Sequence, residues 1–222
     1  MPTVSTEDYL KQIRKLQEGV ARVSTSALAA SLGVADASVT AMLKKLARQG
    51  LVSYQPYQGV TLTEKGEAFA LRTLRRHRLW ELFLVRHLGF SWDRIHEEAE
   101  RLEHATSEAL EAALDRALGF PRLDPHGDPI PSHDGRIEEC TGAALAALPP
   151  GALARVRRVA DGDPELLRHA GRLGVVPEAS LEVRDRFGFD GSLRVRVGGR
   201  DRFLSAEVAR HVFVDLVEAR DG

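Results

Sequence analysis

The spacing of apolar positions changes character along this chain, and each change marks an element. Tyr9, Ile13 and Leu16 recur at helical intervals and predict a helix over residues 7–18, capped by Ser5 or Thr6 and stopped by Gly19. Ser24 or Thr25 caps a short helix over 26–32 that ends at Gly33. A third helix opens at Asp36 or Ala37 and runs to Gln49, with Gly50 just beyond its end. Within it Val39, Met42, Leu43 and Leu46 fall at i, i+3, i+4 and i+7 and form one buried stripe. Ala41, Lys44, Lys45 and Arg48 face the other way.

After Gly50 the helical period gives way to two short β-prone runs, "LVSY" and "VTLT", around the turn "QPYQG". A hairpin directly after a helix-turn-helix predicts a winged helix. Thr63 caps a long helix that tolerates Gly66 early and reaches about His87. Ser91 caps a further helix, "WDRIHEEAERLEHA", and Thr106 or Ser107 caps another that ends at Gly119. The Pro-, Gly- and Asp-rich segment "FPRLDPHGDPIPSHDG" reads as loop and linker, and as the domain boundary. Beyond it "LPPGALARVRRV", "ASLEVRDR", "SLRVRVGG" and "RHVFVDLVE" alternate as strands around one helical piece, "PELLRHAGRLG". The fold class is therefore mainly α with a small β-barrel-like domain of roughly 75 residues.

Composition fits a globular protein: 222 residues, 43% hydrophobic and 28% charged. No run of eighteen apolar residues occurs, so no membrane span is expected. The N-terminal residues lack a basic region followed by an apolar core, so no secretory signal is expected. A single cysteine, Cys140, excludes an internal disulfide and suits a reducing cytoplasm; with no activating neighbour in sequence it reads as an inert thiol. The net charge of −1 says little, but its distribution says more. Residues 1–76 carry a net +5 and residues 77–120 a net −4. A basic first third followed by an acidic segment fits a DNA-facing module joined to a cation-attracting one.

A helix-turn-helix sets its second helix in the major groove, where short side chains permit close approach and basic ones hold phosphates. Ala37, Ser38, Thr40 and Ala41 supply the first kind, Lys44, Lys45 and Arg48 the second. Thr25 opens the preceding helix, and Tyr54, Tyr57 and Gln58 on the wing offer polar groups to the backbone. Direct base readout from Ala and Ser is sparse, which shifts weight to DNA shape. A winged helix that serves protein contacts, with a merely solvated basic face, is the plainer alternative.

The acidic stretch "RIHEEAERLEHA" carries His96, Glu100, Glu103 and His104. At about 100° and 1.5 Å per residue all four share one arc beside the apolar stripe of Ile95, Ala99 and Leu102. His96 and His104 lie about 12 Å apart along the axis, too far to share an ion whose bonds are about 2–2.5 Å. Glu100, Glu103 and His104 can share one. His77 and Glu81, at i and i+4 on the long helix, join His96 as a plausible second site. Carboxylates with imidazole and no sulfur suit Mn²⁺ or Fe²⁺, while Zn²⁺ would bind tightly if offered. The bland alternative is a solvated acidic helix laced by pairs such as Arg94–Glu98 and Arg101–Glu97.

Those motifs together resemble the diphtheria toxin repressor family of metal-dependent transcriptional regulators, which includes the manganese regulators. They are "STEDYLKQI", "ASVTAMLKKLARQGLV", "LTEKG", "RHRLWE", "IHEEAERLEH" and "DPHGDPIP". Residues 4 to about 131 carry the resemblance closely, and "DGDPELLRHAGRLGVVP" carries it more loosely towards an SH3-like (FeoA-type) domain. The resemblance implies a winged helix-turn-helix over 1–74, a helical metal-binding and dimerisation domain over 75–140, and the FeoA-type β-barrel over 141–222. It implies a homodimer formed through the helical middle domain and bound to a palindromic double-stranded DNA operator. The primary metal site it implies is Asp8, Glu100, Glu103 and His104. The ancillary site is His77, Glu81 and His96, completed by an acidic residue of the last domain, Asp163 or its neighbours Asp161 and Glu165. Iron-type members have Met and Cys where this chain has Asp8 and Glu100, so the resemblance favours Mn²⁺, with Fe²⁺ second and Zn²⁺, Co²⁺ or Cd²⁺ as substitutes in vitro. Lys11 stands where the short manganese regulators have a Glu ligand, so the two-site layout of the long members is expected.

The function expected is a cytoplasmic metal-dependent repressor of metal-uptake genes. An enzyme is not expected: there is no H-E-x-x-H pattern, no Ser-His-Asp arrangement and no Gly-rich phosphate loop. The alternative is a winged-helix regulator controlled by a small molecule or protein.

Overall fold

The computed structural model describes residues 4–17, 19–138 and 141–217, with the backbone alone for Val4 and Ser5. Glu18, Cys140 and the Ser5 side chain therefore lie outside the described residues. The chain divides into two compact units. The first comprises residues 1–77, 100–111 and 131–137; the second comprises 78–99, 112–130 and 138–222.

In the first unit α1 (Val4–Leu16), α2 (Thr25–Leu32) and α3 (Asp36–Arg48) precede the hairpin β1 (Val52–Gln55) and β2 (Gly59–Leu62). The chain turns by 110° between α2 and α3, as a helix-turn-helix requires. Leu10 and Ile13 of α1, Leu28 of α2, and Val39, Leu43 and Leu46 of α3 are fully buried against Val60 of the hairpin. Each such aliphatic side chain removed from water contributes about 1.5–3 kcal/mol. Met42 borders this core and is half-buried. Ser24 caps α2 by accepting the Ala27 N–H at 3.1 Å. Its neighbour Val23 bridges Val60 and adds a third rung to the wing. The hairpin pairs Val52 with Leu62 and Gln55 with Gly59, antiparallel throughout.

The helix α4 (Glu64–Leu88) begins in the first unit and passes into the second after His77. Thr63 starts it, its Oγ1 accepting the Gly66 N–H at 3.1 Å. Gly66 has a steric role: a Cβ there would lie 1.9 Å from the carbonyl oxygen of Leu51. The start of α4 thus rests on the backbone just before the wing.

The helix α5 spans His96–Glu103 and α6 spans Glu108–Ala117. The sequence predicts α5 from Trp92 through Ala105, and the structure corrects both ends. Ser91 spends its hydroxyl on Asp93 and its carbonyl on the Arg94 N–H, which makes a turn. At the other end the Ala105 and Thr106 amides close onto Leu102 and Glu103, and the Thr106 hydroxyl donates to the Leu102 carbonyl at 2.7 Å. His104 therefore sits in the turn just past the helix. Ser107 caps α6 by accepting the Leu110 N–H.

The second unit contains a six-stranded antiparallel sheet in the order β3-β8-β4-β5-β6-β7. Its strands are β3 (Ala143–Ala144), β4 (Leu153–Val159), β5 (Ser180–Arg186), β6 (Leu193–Val197), β7 (Arg200–Leu204) and β8 (Val212–Leu216). Alternation is clean in β6, where Leu193, Val195 and Val197 point into the core between the more exposed Arg194 and Arg196. Helix α7 (Pro164–Leu173) covers the core with Leu166, Leu167 and Ala170, and a short α8 (Ala206–Arg210) adds Val208 and Ala209. The strand β7 and helix α8 are absent from the sequence-based expectation. "RDRFL" shows no apolar alternation, and five residues are too few for a helical period.

The segment expected to be a linker is a loop, but its middle is part of the core of the second unit. Leu123 bridges Pro129, and Asp124 Oδ1 accepts the amides of His126 and Asp128 at 2.8 and 2.9 Å. The His126 carbonyl accepts the Val159 N–H of β4 at 2.9 Å. Gly127, at φ 90°, has the Arg157 carbonyl 2.0 Å from where a Cβ would be. The loop is stitched to β4 at a point where no side chain fits.

Replacing Gly66 by Ala tests the first of these close approaches. Helix propensity alone favours Ala by about 1 kcal/mol. The clash with Leu51 predicts the opposite, a loss of about 1–3 kcal/mol and a lower thermal midpoint. An unchanged or higher midpoint would contradict this packing.

Candidate metal centre and nucleic-acid interface

The expected reader face follows from α3 burying one stripe and leaving the other in solvent. Ala37, Ser38, Ala41, Lys44, Lys45 and Arg48 are exposed, and Thr25 and Thr40 are half-buried. A shallow groove brings Thr25, Thr40 and Lys44 together with Tyr57 and Gln58 of the wing. Arg22, Ser24 and Ser26 line it as well and were not anticipated; only their position beside a cap could have signalled them. Tyr57 stands at the tip of the wing, fully exposed and with φ of 65°, a left-handed conformation unusual for an aromatic residue.

The first metal-type cluster lies wholly within the first unit. Asp8 of α1, Glu103 at the end of α5 and His104 in the turn beyond place ligand-type atoms within 4.8 Å of one another. His104 Nε2 is 2.9 Å from Asp8 Oδ1 and 3.4 Å from Glu103 Oε1. The helix ends at Glu103, and His104 meets α1 from the turn that follows. Glu100 stands one turn earlier, half exposed, with Oε1 3.5 Å from Lys11 Nζ. The structure therefore gathers three of the four expected primary residues tightly and places the fourth beside them.

Glu103 is the buried anion of this cluster, its side chain entirely out of solvent. Lys11 Nζ donates to its Oε1 at 2.7 Å, and His77 Nδ1 meets its Oε2 at 2.5 Å. Burial alone would push this carboxyl up, but His77 and Lys11 outweigh it and hold the carboxyl below its ordinary value. Asp8 goes the other way: burial raises it against the opposing pull of His104 and Lys11. Glu7, which sequence reading missed, places Oε2 2.7 Å from His104 Nδ1. Adjacency to Asp8 was its only signal.

A second cluster lies within the second unit. Glu81 of α4, with Asp124 and His126 of the buried loop, also brings ligand-type atoms within 4.8 Å of one another, and all three residues are buried. His126 Nδ1 lies 3.9 Å from Glu81 Oε2 and makes no hydrogen bond among the described residues. Its Nε2 lies 2.8 Å from the Trp92 carbonyl, which fixes the ring, and the indole stacks on it at 5.6 Å. Burial, with Asp128 and Glu81 nearby, pushes the Asp124 carboxyl up to about 7. Burial disfavours a charged His126, yet Asp124, Glu81 and Asp161 together raise its pKa. Glu81 Oε1 also lies 3.5 Å from His96 Nδ1.

Asp163 is placed differently from the sequence expectation: it is the N-cap of α7, its carboxylate accepting the Glu165 N–H at 2.8 Å. Asp161 is the acidic neighbour that acts on His126. Asp124 and His126 were missed as site residues because a Pro/Gly-rich loop carries no burial signal. The D-x-H spacing inside "DPHGDPIP" was the available clue.

Comparison with known proteins agrees across the chain. Residues 1–60 match the family described as iron dependent repressor, N-terminal DNA binding domain. Residues 63–132 match iron dependent repressor, metal binding and dimerisation domain, and residues 143–216 match the FeoA domain. The iron-dependent repressor IdeR of Mycobacterium bovis is 32% identical, over 96% of this chain and 97% of its own length. The HTH-type transcriptional regulator MntR of Lysinibacillus sphaericus is 44% identical, over 48% of this chain and 76% of its own. A solved manganese-dependent transcriptional repressor in complex with manganese superposes with a TM-score of 0.88 at 41% identity, covering 96% of this chain and all of that one. A structure of the manganese regulator SloR gives 0.78 at 32% identity, over 96% and 98%.

The raised Asp124 makes the metal-free protein sensitive to pH. Its folded value of about 7 lies above the ~3.9 of an unfolded Asp. The native state then holds the extra proton between those values, so stability is present at low pH and falls as pH rises through about 7. The raised His126 acts in the same direction. Urea unfolding in chelator should therefore show stability declining from pH 5 to pH 8, with Asp124→Asn flattening the slope. Stability that climbs over that interval would contradict the buried-acid reading.

Proposed function

This chain belongs to the iron-dependent repressor family, which includes the diphtheria toxin repressor and the manganese regulators, and from that membership we propose how its residues carry a metal signal to DNA. It is a metal-dependent, DNA-binding transcriptional repressor that acts as a dimer, and not an enzyme. The cofactor is Mn²⁺, with Fe²⁺ a second candidate. The observation that carries the reading is the convergence of Asp8 from α1 with Glu103 and His104 from the end of α5.

The donor set fits such an ion. Two carboxylates and an imidazole with no thiolate suit Mn²⁺ or Fe²⁺ better than softer metals. Asp8, Glu103 and His104 would hold it, with Glu100 as the fourth, more exposed donor. When bound, the ion would supply a divalent positive charge to the carboxylates of Asp8, Glu103 and Glu100. Asp8 belongs to the helix that packs Leu10 and Ile13 under the reader, so fixing Asp8 fixes the base of the winged helix. A reader already fixed loses less freedom on binding DNA. A preference of about 1–3 kcal/mol for the DNA-competent arrangement strengthens operator binding about 5- to 150-fold.

Glu81 is common to two candidate ancillary sets. One is the sequence-expected His77, Glu81 and His96. The other is Glu81, Asp124 and His126 with Asp161 beside them, favoured by complete burial and by lying within one compact unit. Residues 1–74, 75–140 and 141–222 are the proposed DNA-binding, dimerisation and FeoA-type segments. The operator is a palindrome, as a two-fold dimer demands. The regulated genes are those of metal uptake, and the compartment is the cytoplasm. No single helix is long and apolar enough to cross a membrane.

Recovery of sheared genomic fragments on the purified protein, with Mn²⁺ and with chelator at fixed salt, tests the function. Enrichment of a palindromic site only with Mn²⁺ is expected; equal recovery in both conditions would instead favour a regulator controlled by a small molecule or protein. Asp8→Ala is expected to keep its thermal midpoint within a few degrees and to lose the Mn²⁺-dependent gain. Retention of the full gain would remove Asp8 from the site. Glu100→Cys should shift metal preference towards Fe²⁺ and Ni²⁺, and an unchanged ranking of metals would exclude that role for Glu100.

A further inference from the structure

His104 offers two ring nitrogens, and α1 meets both with neighbouring residues. Asp8 Oδ1 lies 2.9 Å from Nε2, on the side where Glu103 Oε1 is 3.4 Å away. Glu7 Oε2 lies 2.7 Å from Nδ1 on the opposite edge of the ring. The Glu7 side chain is only 17% exposed and that of His104 12%, so this is a sheltered contact and not a solvated surface pair.

A carboxylate can only accept, so a hydrogen bond at 2.7 Å requires the proton to sit on Nδ1. Nε2 faces Asp8 and Glu103 in the same way, so the metal-free ring can hold a proton on each nitrogen; an ion shared with those two carboxylates would replace the proton on Nε2 and leave Nδ1–H on Glu7. We propose that Glu7 is a positioning residue for the metal centre: it fixes the His104 tautomer and ring plane so that Nε2 is presented as the ligand atom. This rests on the reading of His104 as a ligand given above and assigns a role to a residue outside that ligand set.

The arrangement also divides labour on one turn of helix. Glu7 and Asp8 point about 100° apart around α1, and the imidazole lies between them. Asp8 would share the ion while Glu7 orients the ring that shares it. Outer partners of metal-bound imidazoles act in this way, and removing one typically weakens metal binding about 10- to 100-fold.

Nitrogen NMR on ¹⁵N-histidine-labelled full-length protein loaded with ¹¹³Cd²⁺, a diamagnetic stand-in, reads the ring directly. The proposal predicts ¹¹³Cd coupling to His104 Nε2 with the proton on Nδ1. It also predicts that Glu7→Ala weakens Mn²⁺ binding about 10- to 100-fold and lets ¹¹³Cd²⁺ couple to either ring nitrogen. Glu7→Gln, whose amide oxygen can still accept from Nδ1, should keep the coupling at Nε2 and most of the affinity. Coupling to Nδ1 would overturn the proposal while leaving His104 a ligand. Absence of any coupling at His104 would overturn the ligand reading and the proposal with it. Weaker binding in Glu7→Ala with the coupling still at Nε2 alone would reduce Glu7 to a helix-docking contact and reject the proposal. If Glu7→Ala fails to fold, the coupling pattern in the parent protein and in Glu7→Gln decides.

Discussion

A carboxylate with no access to water must be answered by positive charge, and in the first compact unit that carboxylate is Glu103. An isolated buried carboxylate would take up a proton before it remained charged. Here Lys11 of α1 and His77 of α4 each take one of its oxygens, at 2.7 and 2.5 Å. Three helices far apart in sequence are thereby drawn to one point. The strain-free alternative, an apolar residue at the end of α5, would pack as well but would bind no cation. The price of a buried anion makes sense if cation binding is the purpose of the cluster.

That arrangement explains how a local event reaches the DNA-reading surface. Lys11 and Asp8 are both on α1, and α1 forms one wall of the core that supports α3 and the wing. On the proposed reading, whatever tightens the hold on Asp8 also orders the support of α3. The exposed stripe of α3 has few groups able to read bases and several able to hold phosphates. Affinity in such a reader depends strongly on correct placement of the whole face, which makes it a suitable target for control through its foundation.

Much of this was legible in the sequence, and the gaps have physical causes. Helical periodicity located α1 to α4 and the buried stripe of α3, because one face of each meets a core. Turn chemistry located the wing. The convergence of Glu103 and His104 was visible from their adjacency, although the helix was expected to continue through His104. The tightening at Ala105 and Thr106 depends on a threonine hydroxyl returning to Leu102, which no periodicity encodes. The role of Asp8 came through resemblance, since residues nearly a hundred positions apart leave no local trace. The loop holding Asp124 and His126 misled most. Its Pro, Gly and Asp content is that of a surface linker, while contacts with Val159 and Arg157 that sequence cannot display make it part of a core. Strand β7 was hidden for a different reason: it is an edge strand that buries only Leu204, so its sequence carries no alternation to read.

On the proposed reading one free energy links the metal cluster to the reader face, and linkage makes it reciprocal. The most direct measurement is Mn²⁺ titration of the intact protein, first alone and then with saturating operator DNA, beside operator titration with and without Mn²⁺. The account predicts that DNA tightens Mn²⁺ by the same factor by which Mn²⁺ tightens DNA, about 5- to 150-fold. Equal Mn²⁺ affinity with and without DNA would contradict it and would leave the cluster as a structural feature with no hold on the reader.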